Sequence, residues 1–304
     1  MGLNEIFQGR AWGLLAMAGL LAVAASAVSA QSAYGCRDLV NSDVIPSVEG
    51  ETGQFFRIDP DLMAHNGMGA RTVSHLAELS ARLEAQGTAL IFVPLPTKAM
   101  VLPQYLPPMA RHLGYDPELA ATVQDDVLTR LRDAGVRSLD ARQILRQAAL
   151  TGATPFFAQD PRFTAAGTQI LARAVAAEIA TLPGYDRLPK TGYRTIEAPA
   201  VTLDSAMASQ LQDACSAELP HLTSPGVRIE PPLGSSGGGL FPGAAPTGRI
   251  VLAGSAVLSD PDTHFAKFLA AASGLDVQSH MVPGDRGLAA ITDLLSSADF
   301  RASP

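Results

Sequence analysis

Two short stretches of this 304-residue chain hold residue types found in hydrolase-like sites. In Asp160-Pro161-Arg162 a carboxylate stands two residues from a guanidinium. In Gly254-Ser255-Ala256 a hydroxyl stands in a glycine turn after the apolar run Ile250, Val251 and Leu252. An α/β enzyme holds its nucleophile at the carboxyl end of a strand, with backbone N–H groups beside it. Such a serine also needs a proton acceptor, and arginine keeps its proton at neutral pH. His264 and His280 are the candidate bases on that side of the chain, and Ser259 is a further hydroxyl, but nothing in their spacing brings them to the turn. Lys98 follows a second apolar run, residues 88–94 (TALIFVP), and could hold an anionic or polyhydroxyl ligand. The plainer reading of Lys98 is a solvated surface lysine.

Other chemistries lack their signatures. Cys36 and Cys215 stand alone and the six histidines are scattered, so no metal site is expected. No Gly-x-Gly-x-x-Gly lies between a strand and a helix, and GSSGGG at 234–239 lacks the Gly-Lys-Ser/Thr of a phosphate loop. No cofactor is therefore expected, and the glycine run reads as a flexible loop. The net charge of −7 without a basic block argues against a nucleic-acid partner.

The elements that must position these residues follow from periodicity and punctuation. Gly50 and Gly53 precede an aromatic strand in residues 49–58, which predicts a hairpin. Val73, Leu76, Leu79 and Leu83 mark an amphipathic helix over 71–86, closed by Gly87. Residues 88–94 predict a strand covered on both faces. Asp116 and Pro117 open a helix that runs to Ala134, and a short strand over 136–139 leads to a helix over 141–150. Thr164 caps a helix over 165–182, which leaves Asp160 and Arg162 in the loop before it. Residues 185–200 and 220–248 read as irregular, and 203–217 as a helix carrying Cys215. A strand, a helix through Phe265, Phe268 and Leu269, a strand over 275–282 and a helix over 287–295 complete the chain. Parallel-type strands separated by helices predict a three-layer α/β/α sandwich with a mostly parallel sheet.

Residues 1–30 read as a secretory signal peptide, with one basic residue, Arg10, ahead of an Ala/Leu/Val run and small residues up to Ala30. An uncleaved anchor is the alternative. The domain proper is then residues 31–304, in a periplasmic location. An even cysteine pair outside the cytosol is most simply one disulfide, Cys36–Cys215, the alternative being two separate buried thiols.

Residues 160–167, Asp-Pro-Arg-Phe-Thr-Ala-Ala-Gly, resemble the Asp-x-His-Trp-Thr-x-x-Gly signature of the AlgX/AlgJ-type SGNH hydrolase-like family. The block at 249–269 resembles that family's apolar strand, Gly-Thr-Ser turn and helix with Phe-Ala-x-Phe-Leu. The turn at 93–98, the strand at 53–56 and the Cys36/Cys215 pair are similar as well. The resemblance spans nearly all of residues 31–304. It implies an exported protein of alginate or related exopolysaccharide O-acetylation, with a polysaccharide and a membrane-bound O-acyltransferase as partners. It also implies a Ser-His-Asp site in which serine attacks an acetyl ester. Carried across, the acid is Asp160, the histidine position holds Arg162 and the serine position holds Ala256. The resemblance therefore predicts a catalytically degenerate accessory or polysaccharide-binding protein, with Lys98, Gly254 and Arg162 as binding residues. The alternative is an active acetyltransferase or esterase in which Ser255 has taken over as nucleophile.

Overall fold

The computed structural model describes residues 32–63, 67–230, 249–255, 264–282 and 287–296. In chain order the strands and helices are β1 (Ser47–Glu49), β2 (Phe55–Arg57), α1 (Ala70–Glu84), β3 (Ile91–Phe92), α2 (Lys98–Val101), α3 (Met109–His112) and α4 (Pro117–Asp133). There follow β4 (Arg137–Ser138), α5 (Ala141–Leu150), α6 (Ala165–Ala180), β5 (Arg194–Thr202), α7 (Ala206–Ala214) and β6 (Thr223–Glu230). The last are β7 (Arg249–Ser255), α8 (Phe265–Ser273), β8 (Asp276–Val282) and α9 (Gly287–Ser296). The fold is α/β, as expected. The pairs β3–β4 and β7–β8 are parallel, while β1–β2 and β5–β6 are antiparallel.

Helix ends fall where the punctuation put them. The Asp116 carboxylate accepts from the Glu118 and Leu119 N–H groups at 2.8 and 3.3 Å, with Pro117 at the first helical position of α4. The Thr164 hydroxyl accepts from the Gly167 N–H at 3.0 Å and opens α6. Gly167 is required by a close approach: a Cβ there would lie 2.2 Å from the Pro155 carbonyl oxygen. Val73 and Leu76 of α1 are buried with Val127, Leu131 and Val136 in a satellite cluster, which fixes α1 against α4. The main core joins Phe56, the α2 residues Ala99, Met100 and Val101, Leu145 of α5, Leu171 and Val175 of α6 and Phe265, Phe268 and Leu269 of α8.

Three expectations are corrected. The strand expected over 88–94 is paired only at Ile91 and Phe92, and both are half-buried rather than covered on both faces. Residues 194–202 and 223–230, read as irregular, form the antiparallel ribbon β5–β6, with a register shift between Ala198 and Val201. The side chains of β5 are largely exposed and in β6 only Val227 and Ile229 pack toward the core, too short an apolar alternation to mark a strand. Lys98 lies at the start of α2 with 1% of its surface exposed, not in a solvated turn.

The disulfide Cys36–Cys215 is formed, across 179 residues of chain. It ties the segment before β1 to the end of α7, beside a cluster that includes Leu39, Phe55, Met207 and Leu211. Residues 1–30 and the glycine run at 234–239 lie outside the described residues.

Candidate functional site

Asp160 sits in a closed loop. A single antiparallel bridge pairs Phe156 with Phe163, their rings 4.5 Å apart, and the Phe157 N–H donates to the Arg162 carbonyl at 3.2 Å. The Thr164 N–H donates to the Pro155 carbonyl at 3.0 Å, so the loop closes directly onto the first turn of α6. Inside it Gln159 and Asp160 are buried, at 5% and 4% exposure.

The Asp160 carboxylate is held by Arg162. Its Oδ1 accepts from the Arg162 backbone N–H at 2.7 Å and from Nε at 2.9 Å. Arg162 Nη2 donates to the Asp204 carbonyl at 2.8 Å, which links the loop to the segment between β5 and α7. The Arg162 side chain keeps about a quarter of its surface, 24%, open to solvent. Asp160 and Arg162, both expected at the site, are thus brought together as a charge-assisted pair.

Behind this loop lies a group of buried and half-buried charges: Lys98, singled out from the sequence but expected at the surface, and the pair Arg57 and Asp61, which sequence reasoning missed. Lys98 Nζ donates to the carbonyls of Phe55, Phe157 and Ala158 at 2.9, 2.6 and 2.7 Å. The Phe55 N–H also donates to the Ala158 carbonyl at 2.8 Å, so β2 and the loop are laced together. The ammonium stands 5.3 Å from the Phe56 ring centre. Burial pushes the Lys98 amine down to about 7, while Asp61 and Asp160 pull it up and Arg57 adds to the lowering. Asp61, 2% exposed, is clasped by Arg57 through Nε and Nη2 at 3.1 and 2.9 Å and by the Arg57 N–H at 2.9 Å. Burial, with Asp61 and Asp116 nearby, raises the Tyr115 hydroxyl well above the usual phenol range. Lys98 therefore cannot reach a ligand: its three N–H donors already meet three backbone acceptors. Backbone carbonyls carry no residue-type signal, so no motif could have announced them. Nor were Arg57 and Asp61 singled out from the sequence.

The second candidate region is the end of β7. The strand runs parallel to β8 with Ala253 opposite His280, Gly254 opposite Met281 and Ser255 opposite Val282. Gly254 has φ +155°, a value that favours glycine. Ser255 is thus a ladder residue rather than the apex of a turn. Ala256 and Ser259 lie outside the described residues. His280 is half-buried on β8, with its Nε2 buried and without a hydrogen-bond partner among the described residues. His264 takes the left-handed conformation, φ +56°, at the start of α8, its ring edge-on to Phe268. Among the described residues no group of three or more His, Cys, Asp or Glu could hold a metal ion. A cleft of about 660 Å³ lined by Glu84, Arg132, Arg137, Asp140 and Glu178, among others, contains none of the candidate residues.

Comparison with known proteins bears on this geometry. The family model for the SGNH hydrolase-like domain of acetyltransferase AlgX matches residues 48–304. The alginate biosynthesis protein AlgX of Pseudomonas aeruginosa is 25% identical over 257 residues, 84% of this chain and 53% of that protein. The probable alginate O-acetylase AlgJ of the same organism is 26% identical over 239 residues, 73% of this chain and 57% of that protein. The chain spans about half the length of the curated relatives it matches. Among solved structures, that of Pseudomonas aeruginosa AlgX superposes with a TM-score of 0.69 at 24% identity, over 86% of this chain and 60% of the other. The O-acetyltransferase domain of Pseudomonas putida AlgJ gives 0.64 at 18% identity, over 84% and 86%. These two share the fold.

Proposed function

The chain belongs to the SGNH hydrolase-like family of AlgX-type acetyltransferases, and from that membership we propose that it serves exopolysaccharide O-acetylation without performing the acyl transfer itself. On this reading it is exported to the periplasm. There it binds an alginate-like or cellulose-like polysaccharide beside a membrane-bound O-acyltransferase. Its relatives are alginate biosynthesis proteins, which supports the setting.

The observation that carries the reading is the pairing of Asp160 with Arg162. In a Ser-His-Asp site the aspartate orients an imidazole, which takes the serine proton and returns it to the leaving group. Here the aspartate orients a guanidinium, which accepts no proton at any pH the protein would meet. The sequence places alanine where the resemblance requires the nucleophile. What the arrangement can do is present a fixed cation, partly exposed, beside the loop. Such a cation attracts a uronate carboxylate on an otherwise acidic chain.

One observation favours a second reading, an esterase using Ser255. The β7–β8 register puts His280 opposite Ala253, two residues before Ser255, with Nε2 buried and unpartnered among the described residues. Acetate release from an O-acetylated polyuronate, measured alongside binding to the same polymer, separates the two. We expect saturable binding that Arg162→Ala weakens, and no acetate above buffer. Acetate release abolished by Ser255→Ala or His280→Ala would overturn the proposal.

A further inference from the structure

We propose that Lys98 is the positioning residue of this site: by donating to the Phe55, Phe157 and Ala158 carbonyls at once, its buried amine clamps the loop bearing Asp160 and Arg162 onto β2. The inference rests on reading the Asp160 loop as the site, and it names what holds that site in place.

The three acceptors come from two segments that sequence separates by about a hundred residues, Phe55 on β2 and Phe157–Ala158 in the loop, and one side chain meets both. In its protonated form the Lys98 side chain has three donors and no acceptor, so three carbonyls satisfy it completely. A carbonyl buried without a donor is costly, so the arrangement resists opening from either side. The clamp has support along its length. Lys98 is anchored as the first residue of α2, where the Thr97 hydroxyl accepts from the Met100 N–H and donates to the Asp61 carbonyl. Phe55 packs in the cluster backed by the disulfide. From Ala158 the chain needs only two residues to reach Asp160, and the Phe157 N–H to Arg162 carbonyl bond fixes the far side. Loss of the amine therefore frees Phe157 and Ala158 first, and Asp160 and Arg162 with them.

The charges around the amine are Asp61 behind β2, Asp160 in the loop and Arg57 on β2. On the helices packed against α2, Arg142 of α5 is paired with Asp125 of α4 at 2.6 Å. Asp61 is itself neutralised by Arg57. Asp160 is shared between Arg162 and the Lys98 field, which couples clamp and site directly.

Amide hydrogen exchange on Lys98→Met and Lys98→Arg tests this without any ligand, so its failure and a failure of polysaccharide binding are told apart. In Lys98→Met we expect exchange at the Phe55, Phe157 and Arg162 amides to rise by roughly tenfold or more while Val127 and Leu128 of α4 stay protected. Lys98→Arg, which keeps a charged donor, restores part of that protection. Uniform acceleration across the chain, or no change at the three amides, overturns the proposal. Should Lys98→Met not fold, the wild-type protein still decides. Scalar couplings across hydrogen bonds from Lys98 Nζ to the carbonyl carbons of Phe157 and Ala158 support the clamp, and a freely exchanging amine without them overturns it.

Discussion

The Asp160 loop and the end of β7 are the two places where the residue types pointed to chemistry, and they are built in opposite ways. The loop is bridged at its mouth, capped by Thr164, pressed against the Pro155 carbonyl at Gly167 and tied to β2 by Lys98. One carboxylate oxygen, Asp160 Oδ1, accepts two bonds from one neighbour, Arg162. The end of β7 is a half-buried strand whose last residue pairs with Val282 in the parallel ladder. The difference teaches that the scaffold of an acyl-transfer site is separable from its proton chemistry. Caps, close approaches and backbone clamps keep a loop in shape whether the residue two past the aspartate is an imidazole or a guanidinium.

The largest expected effect is on turnover. If the β7 end supplies no nucleophile, acetyl-ester hydrolysis should fall on the order of a millionfold below a Ser-His-Asp enzyme. Ser255→Ala should leave that residual rate unchanged in a sensitive acetate assay. A measurable drop would make the two regions partners again. Next comes the brace behind the loop: Cys36→Ser with Cys215→Ser removes a loop closure of 179 residues. The cost is about 5 kcal/mol in the chain-entropy model, read from urea midpoints.

A smaller effect sharpens the contrast through pH. In the unfolded chain Lys98 holds its proton up to the ordinary value of 10.5, in the folded one only to about 7. Between these values the folded protein binds fewer protons, so stability rises with pH. The slope from this group approaches roughly 1.4 kcal/mol per pH unit and vanishes below 7. Denaturant midpoints should show that rise in the wild type, and Lys98→Met should lose it. Smallest is Arg162→Ala. It leaves Asp160 with the Arg162 backbone N–H and should cost about 1–2 kcal/mol, because the lost partner is partly solvated.

Much of the scaffold was legible and the heart of the loop was not, for a physical reason. Helices α1, α4, α5 and α6 announced themselves because apolar spacing, Asp116, Pro117 and Thr164 act within a few residues of one another. The ribbon β5–β6 was invisible because β5 is largely exposed, β6 turns only Val227 and Ile229 toward the core, and Pro199, Pro225 and Gly226 interrupt any longer pattern. Asp160 and Arg162 could be singled out by type and spacing. Lys98 was misplaced at the surface because its partners are main-chain atoms 43, 59 and 60 residues away. A contact of that range and anonymity leaves no trace in local sequence.

The proposal of a family member without acyl-transfer chemistry is tested most directly by a serine-directed fluorophosphonate, with the intact mass of the protein as the readout. No adduct is expected under conditions that label a Ser-His-Asp esterase completely. A single phosphonyl group on Ser255 would contradict it.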